Sequence, residues 1–297
     1  MPTVQVNDIT ISYTFHTPST SSQPNGTATE EPGTIVLVNG LADSQQTWSS
    51  QTPAFLAAGY RVLTYDNRGI GQSSAPAGPY TSALLASDLH GLLQTLGIKQ
   101  AHFLGVSMGG MILQEYALSY PSGPPCGIDI SSLTLACTYS APGEFCSRMF
   151  QIWSEMARKM SVQDVMRDVT LWAFTVPFFT SRTDELRAVE RDVENLELSL
   201  EAYLAQLNVI QRFDSRNSLL KLREDGKWLG GIEPRKVMVL AGRTDILTPV
   251  TLSRDLAEKI DGAQFKTVKG GHGCLWEFPR SFNETVLEFL RECKSDG

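Results

Sequence analysis

A serine lies between two glycines in the run Gly105-Val106-Ser107-Met108-Gly109. An apolar stretch precedes this run and apolar residues at helical spacing follow it, so the pattern predicts a strand, a sharp turn and a helix with Ser107 at the apex. So tight a turn strains the backbone at the serine and leaves no room for side chains two residues before and after it. The hydroxyl would then stand above the carboxyl edge of a sheet, where it could attack a carbonyl carbon.

A serine hydroxyl is a weak nucleophile until a base takes its proton and an acid orients that base. Later strands should therefore end in a carboxylate and a histidine. Asp245 follows the strand predicted at 236–240, and His272 follows the strand predicted at 264–268, in a Gly-rich loop. Catalytic groups gather at the carboxyl ends of parallel strands, so the three residues could meet there. Their order along the chain predicts acyl transfer through a covalent intermediate.

The chain contains three other histidines and one competing acid. His16 lies in a predicted hairpin, His90 in the middle of a predicted helix, and His102 at the buried start of the strand before Ser107, on the opposite edge of the sheet. Glu144 could act as the acid, because it follows another predicted strand. Asp245 is preferred because its strand-turn-helix setting is clear, whereas Glu144 begins an insertion.

Two backbone amides are candidates for binding the negative oxygen that forms during acyl transfer. The Met108 amide lies at the N-terminus of the helix predicted after Ser107, where the helix dipole favours negative charge. The strand predicted at 34–38 runs into Asn39-Gly40-Leu41, a turn in which Gly40 allows close backbone approach to a ligand. The Asn-Gly pair alone would indicate a simple turn at a strand end. Its place beside Ser107 favours the Leu41 amide as the second donor.

Strand and helix patterns alternate along both ends of the chain, with no internal repeat. Strands are predicted at 34–38, 61–65, 103–106, 132–138, 236–240 and 264–268, and helices at 45–59, 81–97, 250–260 and 279–290. Such alternation predicts an α/β protein with a mostly parallel sheet that helices cover on both faces.

The N-terminal part of the chain shows three further features. Residues 4–15 alternate apolar and polar side chains around Asn7-Asp8, which predicts a hairpin. Residues 17–33 are rich in Ser, Thr, Pro and Gly and predict a surface loop, with a partner-binding segment as the alternative. The polar turn at 66–74 contains Gly69-x-Gly71 but no third glycine in register, so it indicates a structural loop that Asp66 and Arg68 hold together.

The pattern changes to helical periods without a convincing strand at about residue 141. We therefore predict a helical cap at 141–227 inserted into an α/β core made of residues 1–140 and 228–297. Large aromatic residues of such a segment are more often core than binding site. A few must nevertheless face the serine if the segment covers it. The predicted substrate-pocket residues are Asn39, Trp153, Trp172, Phe178 and Ile246.

Composition excludes several classes of function. The 297 residues carry a net charge of -7, which argues against nucleic-acid and anionic-membrane partners. Five cysteines lack metal-ligand spacing, and their odd number favours reduced thiols in an intracellular protein. The N-terminus shows no basic region followed by an apolar run, and no apolar run reaches bilayer length. We expect a cytoplasmic monomer or homodimer that acts on a small molecule.

The motifs together resemble the α/β-hydrolase superfamily. They are Val38-Asn39-Gly40, Asp66-Asn67-Arg68-Gly69-x-Gly71-x-Ser73, Gly105-Val106-Ser107-Met108-Gly109-Gly110, Gly242-x-x-Asp245-x-x-x-Pro249 and Gly271-His272. Within the superfamily they look most like the group of 3-oxoadipate enol-lactonases, small-ester hydrolases, meta-cleavage C–C hydrolases and cofactor-free haloperoxidases. The similarity covers about residues 1–140 and 230–297. It implies an eight-stranded, mostly parallel sheet with a helical cap.

The resemblance also implies the roles of the site residues. Ser107, Asp245 and His272 would form the catalytic triad, and the backbone amides of Leu41 and Met108 would be the oxyanion donors. No metal or cofactor is implied. Most relatives have His-Gly where this chain has Asn39-Gly40. The change from His to Asn keeps the backbone amide that acts as donor. It alters the side chain, and with it the local hydrogen bonds and substrate contacts of that loop. A serine nucleophile excludes haloalkane dehalogenase and epoxide hydrolase chemistry, which in related folds needs an aspartate.

The sequence therefore predicts a serine hydrolase that cleaves an ester, thioester or lactone of a small, partly hydrophobic metabolite through an acyl-enzyme. Two alternatives stay open at this point, because fold does not determine the reaction. One is a C–C bond hydrolase that acts beside a ketone with the same triad. The other is a ligand-binding receptor of the same fold with very slow turnover.

Overall fold

A single sheet runs through the molecule, which is described here from a computed structural model for residues 1–18, 33–125 and 127–294. The described strands are β1 (Thr3–Val6), β2 (Ile9–His16), β3 (Thr34–Val38), β4 (Arg61–Tyr65), β5 (Gln100–Val106), β6 (Asp129–Ala136), β7 (Val237–Gly242) and β8 (Gln264–Val268). Their order in the sheet is β1-β2-β4-β3-β5-β6-β7-β8. Strand β2 pairs antiparallel with both β1 and β4. All other neighbouring strands in the sheet are parallel. The predicted eight-stranded, mostly parallel sheet is therefore confirmed.

Most strand boundaries follow the sequence pattern closely. The bounds of β3, β4 and β8 are those predicted, and the N-terminal hairpin forms with Asn7 at φ 52° in its turn. Strands β5 and β6 both begin three residues earlier than predicted. The reason is pairing, because Gln100 lies opposite Asp129 in the parallel ladder and extends it beyond the apolar run.

The strand order creates a crevice at one edge of the sheet. After β3 the chain crosses to β4 on one side and then returns past β3 to β5 on the other. At such a switch point the two connections diverge and leave a space beyond the carboxyl ends of the strands. Loop 39–44 follows β3 and Ser107 follows β5, so both border this crevice.

Helices cover both faces of the sheet. The described helices are α1 (Thr52–Ala57), α2 (Ser82–Thr95), α3 (Met108–Ser119), α4 (Glu144–Lys159), α5 (Val162–Ala173), α6 (Val176–Ser181), α7 (Thr183–Glu194), α8 (Leu200–Arg212), α9 (Arg216–Glu224), α10 (Val250–Lys259), α11 (Cys274–Glu277) and α12 (Pro279–Lys294). Successive residues of β3 point to opposite faces. Val36 and Val38 join one hydrophobic cluster with α2, α3 and α10, while Ile35 and Leu37 join a second with α1 and α12. Within the described ranges, no helix combines the length and apolarity needed to cross a bilayer.

Helices α4 to α9, here called the cap, follow one another between β6 and β7. The described residues from 144 to 224 contain no strand, as the helical periods indicate. The cap shares its hydrophobic cluster with one face of the sheet. It is also tied to the core by polar contacts, such as the Tyr139 hydroxyl that donates to the Ile210 carbonyl at 2.6 Å. The assignment of 141–227 as a separate domain stays a prediction.

One predicted helix forms as two separate elements, and one predicted loop lies mostly outside the described residues. The segment 45–59 forms a short 3₁₀ turn, Gln45–Trp48, and then α1, because Pro53 suits only the first turn of a new helix. In the turn after β4, Asp66 accepts from the Gln45 amide at 2.8 Å, while Arg68 pairs with Asp88 of α2. Most of the predicted loop 17–33 lies outside the described residues.

Candidate active site

Ser107 occupies the turn between β5 and α3. Its φ of 57° lies in the left-handed region, which strains a residue that has a β-carbon. A β-carbon on Gly105 would overlap the Gly109 carbonyl, and one on Gly109 would overlap the Val38 carbonyl at the end of β3. The glycine spacing is thus required by the close approach of β3, β5 and α3. The turn leaves Ser107 partly exposed.

Asp245 and His272 lie after β7 and β8 and are in direct contact. Nδ1 of His272 is 2.9 Å from Oδ2 of Asp245, and both residues are buried. When Nδ1 carries the proton that this contact requires, Nε2 is the basic nitrogen of the neutral ring. The pair therefore has the arrangement of a base held by an acid.

Thr248, which sequence reasoning missed, supports this pair. Its amide donates to Asp245 Oδ1 at 2.9 Å, and its hydroxyl oxygen lies 2.9 Å from Asp245 Oδ2 and 3.0 Å from His272 Nδ1. The same hydroxyl reaches the Cys137 carbonyl at 3.1 Å. Thr248 thereby orients both the carboxylate and the ring. The spacing Asp-x-x-Thr in a turn is the signal that could have found it.

The electrostatics of the pair favour a charged imidazole. Burial lowers the pKa of His272, but attraction and hydrogen bonding from the Asp245 carboxylate outweigh burial and raise it above the ordinary 6.5. The charge of Asp43 adds to the rise. An imidazolium that forms when the ring takes a proton is thus stabilised in place.

The other sequence candidates lie elsewhere. Glu144 is almost fully exposed and pairs with Arg148 one turn along α4. His16 lies 3.2 Å from the Thr64 hydroxyl at the antiparallel end of the sheet, His102 contacts the Ser132 hydroxyl at 2.8 Å, and His90 stacks on an aromatic ring. None of these three histidines has a recorded contact with an acid among the described residues.

The two candidate oxyanion donors border the same crevice. Met108 begins α3 directly after Ser107, and Leu41 lies in the loop after β3. In the described part of the chain, neither backbone amide donates to a protein acceptor. A backbone donor without a protein partner is what a bound oxyanion needs.

Asp43 is a further acidic residue that the sequence did not single out. A β-carbon on Gly40 would lie 2.7 Å from Asp43 Oδ2 and 3.6 Å from Ser107 Cβ, so both side chains lie close to Gly40. Burial raises the pKa of Asp43 to about 7, although the His272 charge and a hydrogen bond from the Gly40 backbone lower it. Since Asp43 lies near both Ser107 and His272, the three residues surround one site.

The predicted pocket residues have mixed outcomes, and Asn39 needs correction. Its side-chain oxygen accepts from Trp48 Nε1, and its nitrogen donates to the carbonyls of Asp43 and Tyr65 at 3.1 and 3.2 Å. The side chain is buried and fully used inside the protein, so Asn39 holds the loop after β3 rather than contacting a ligand. It occupies this place because only a side chain with both a donor and an acceptor can make these bonds.

The four other predicted pocket residues are spread over the cap and the loop after β7. The indole nitrogens of Trp153 and Trp172 both donate to Asp168, at 2.8 and 3.1 Å. Phe178 is buried and stacks on Phe174 with ring centroids 4.4 Å apart. Ile246 is 52% exposed beside Asp245. The pocket role of these residues stays a prediction.

The cap segment 173–175 touches residues 269–273, the loop that carries His272 and is here called the histidine loop. The Ala173 carbonyl accepts from the Gly273 amide at 2.8 Å. The buried Glu277 carboxylate accepts from the Gly271 amide at 2.8 Å and from the amide and hydroxyl of Thr175 at 3.0 and 2.6 Å. This clamp fixes both residues that flank His272 against the cap. The sequence held no local signal for it, because the partners are about 100 positions apart.

Cys137, Asp245 and His272 have donor atoms within 4.8 Å of one another. A metal ion would need the Cys137 thiolate. A contact with Cys274 at 3.6 Å and burial raise the pKa of that thiol well above its ordinary value. The 2.9 Å bond between Asp245 and His272 is the arrangement that proton transfer needs.

Comparison with known proteins agrees with the fold. A 3-oxoadipate enol-lactonase of Acinetobacter baylyi is 26% identical over 257 residues, which cover 86% of this chain and 88% of that protein. A Caulobacter segnis protein named as carbamate hydrolase RutD is 27% identical over 259 residues, with 86% and 90% covered. The crystal structure of an enol-lactonase from Burkholderia xenovorans superposes with a TM-score of 0.79 at 27% identity, covering 98% of this chain and 100% of that one.

The family comparison covers strands β3 to β8 together with the cap. The model of the alpha/beta hydrolase fold matches residues 33–279, which contain Ser107, Asp245 and His272. The match extends over far more than half of the 297 residues. The chain therefore belongs to the α/β-hydrolase family.

Proposed function

We propose that this α/β-hydrolase is a serine hydrolase that cleaves esters, thioesters or lactones of small, partly hydrophobic metabolites. The observation that carries the proposal is the 2.9 Å contact between His272 and Asp245 at the sheet edge where Ser107 is held. The names of two relatives, an enol-lactonase and a carbamate hydrolase, support cleavage of an acyl–oxygen or acyl–nitrogen bond. They favour this chemistry over cleavage of a carbon–carbon bond.

In the proposed reaction, Ser107 Oγ attacks the carbonyl carbon while His272 Nε2 takes the hydroxyl proton. Asp245 holds the ring through Nδ1 and stabilises the positive charge. The amides of Leu41 and Met108 donate to the tetrahedral oxyanion, and each contributes on the order of 3 kcal/mol. His272 then gives the proton to the leaving alcohol, thiol or amine. In deacylation, His272 takes a proton from water, which attacks the acyl carbon, and then gives that proton to Ser107 Oγ as the acid product leaves.

The cap supports a substrate with apolar bulk. Its residues bring the stacked Phe174 and Phe178 close to the histidine loop, and a β-carbon on Gly273 would lie 2.8 Å from the Phe174 ring. An apolar wall beside the base excludes water and suits a hydrophobic acyl or alcohol group.

A fluorophosphonate probe tests the proposal directly. We expect intact mass to increase by one adduct, and peptide mapping to place the adduct on Ser107. The same preparation should hydrolyse a chromogenic ester with a burst of product, and a screen of esters, thioesters, lactones and carbamates would then rank the substrate classes. Absence of an adduct on Ser107 would count against the serine mechanism. Tight ligand binding without turnover would favour a receptor instead.

The pH dependence of the proposed reaction follows from the charges around His272. Because the base must be neutral and its pKa is raised above 6.5, we expect kcat/KM to increase with pH through a limb centred above 6.5. Asp43→Asn removes a negative charge that raises this pKa, so the limb should move to lower pH. The control is Glu144→Gln, which removes one negative charge at an exposed position and should leave the limb unchanged. A limb that stays in place or moves upward in Asp43→Asn would contradict the electrostatic assignment.

A further inference from the structure

The side chain of Gln206, in cap helix α8, bridges two loops of the core. Its oxygen accepts from the Ala42 amide at 3.0 Å, and its nitrogen donates to the Arg68 carbonyl at 3.0 Å. Its side chain is fully buried. The bridge thus joins the cap to the loop after β3 and to the turn after β4.

A neutral side-chain amide satisfies both contacts without any change of protonation. The Ala42 amide can only donate and the Arg68 carbonyl can only accept, so a glutamine oriented with its oxygen toward Ala42 satisfies both. An apolar replacement would leave two buried backbone groups without a partner, which destabilises the docked position of the helix. The chemistry of the two partners therefore explains why a polar residue lies in this buried position.

The bridge bears on the candidate oxyanion hole because Ala42 follows Leu41. Ala42 has a φ of 61°, in the left-handed region that a residue with a β-carbon adopts only when its surroundings hold it there. A bond to the Ala42 amide fixes the peptide plane between Leu41 and Ala42. That plane is adjacent to the Leu41 amide, so its orientation sets where this donor points.

The helix that carries Gln206 is itself packed closely on the core. A β-carbon on Gly69 would lie 3.2 Å from Ala202 Cβ, and one on Gly78 would lie 2.9 Å from Ala205 Cβ. Ala202 and Gln206 are four positions apart and share one face of α8. Small residues on both sides of this contact therefore allow the approach that brings the Gln206 amide to its two partners.

We propose that Gln206 is a positioning residue that holds the Leu41 amide in the oxyanion hole, so that docking of α8 on the core completes the catalytic site. This inference rests on the proposed serine hydrolase function. Gln206 acts on the oxyanion through the loop 39–44 and needs no contact with substrate. The cap would then supply a structural requirement for turnover in addition to any contacts with substrate.

The test compares two replacements of Gln206 with a control on the same helix. Gln206→Met keeps the length but removes both hydrogen bonds. Gln206→Glu keeps an acceptor, and burial beside the Arg68 carbonyl should keep its carboxyl protonated and able to donate. The control is Asn208→Leu, which removes a similar bond between α8 and the core, from Asn208 Nδ2 to the Tyr80 carbonyl at 3.0 Å. All variants are assayed at a temperature at which circular dichroism shows them to be folded.

We expect Gln206→Met to lower kcat by about 10- to 100-fold with little change in KM, the size of effect that a misplaced catalytic group produces. The loss of kcat should be smaller in Gln206→Glu, and kcat of Asn208→Leu should stay close to the wild-type value. Affinity for a trifluoromethyl ketone, which forms an oxyanion adduct on serine, should fall in parallel with kcat/KM. Hydrogen exchange should become faster in peptides that span 39–44.

The outcomes separate this inference from the proposed function. If the wild-type enzyme forms no Ser107 adduct, the proposed function is wrong and the inference falls with it. If wild type reacts and Gln206→Met retains its kcat, only the role of Gln206 is wrong. Equal losses in Gln206→Met and Asn208→Leu would also overturn it, because they would indicate a general effect of cap docking. Should the Met variant fail to fold, the Glu variant and the exchange measurement decide.

Discussion

Replacing Ser107 with alanine is expected to lower kcat for a chromogenic ester by about 10⁴- to 10⁶-fold, because the proposed acyl-enzyme forms on the Ser107 hydroxyl. The residual rate over water would come from the oxyanion donors and from substrate binding. The variant should keep its fold, since the strained turn is set by the contacts of Gly105 and Gly109 rather than by the serine hydroxyl. Steady-state kinetics and intact mass after the fluorophosphonate probe measure the loss of turnover and of labelling.

The same variant separates the enzyme from the alternatives. Substrate should still bind to Ser107→Ala, so calorimetry can measure its affinity without turnover. A kcat within tenfold of wild type would show that Ser107 is not the nucleophile. A wild-type protein that neither labels nor turns over, but binds a ligand as tightly as Ser107→Ala does, would be a receptor.

The second large effect is expected at Asp245. Asp245→Asn should lower kcat by about 10⁴-fold, because an amide that donates to Nδ1 of His272 leaves the proton on Nε2 and so removes the base. Thr248 would keep the side chain in place, since its amide bonds Asp245 Oδ1 at 2.9 Å and can bond the asparagine oxygen in the same way. The substitution should therefore change the tautomer of His272 and leave the shape of the site nearly unaltered.

Glu144→Gln is the matched comparison for this prediction. Glu144 was the competing acid in the sequence, but it is exposed on α4 and pairs with Arg148. Its replacement should leave kcat within about twofold of wild type, as is usual for an exposed surface charge. Near-normal rates in Asp245→Asn together with a large loss in Glu144→Gln would reverse the assignment of the acid.

Local stereochemistry made several features of this protein predictable from the sequence. The turn at Ser107 requires glycines two positions on either side, and β-branched runs such as Thr34–Val38 favour buried strands. These rules act within a few residues, so they are readable without an alignment. The parallel sheet then follows from the alternation of strands and helices. With the sheet predicted, Asp245 and His272 could be selected as groups at its carboxyl edge.

The tertiary structure decided the contacts that depend on packing. Gln206 reaches Ala42 across 164 positions, and Glu277 joins the cap segment at Thr175 to the histidine loop. No local pattern marks such partners, because each is a common polar residue whose role arises only when distant elements meet. The same reason explains why Asn39 was predicted as a substrate contact although its side chain is consumed by Trp48, Asp43 and Tyr65.

The sequence by itself therefore determined the fold and indicated the chemistry that we propose, since a strained serine, a histidine and an aspartate at strand ends can be recognised from residue type and spacing. Only the tertiary structure decided how those groups are supported and tuned. The burial that raises the pKa of Asp43 to about 7 and the carboxylate that raises the pKa of His272 are properties of packed neighbours. Electrostatic effects of this kind depend on the distance between charged groups and on the exclusion of water from them. Neither quantity can be inferred from the order of residues along the chain.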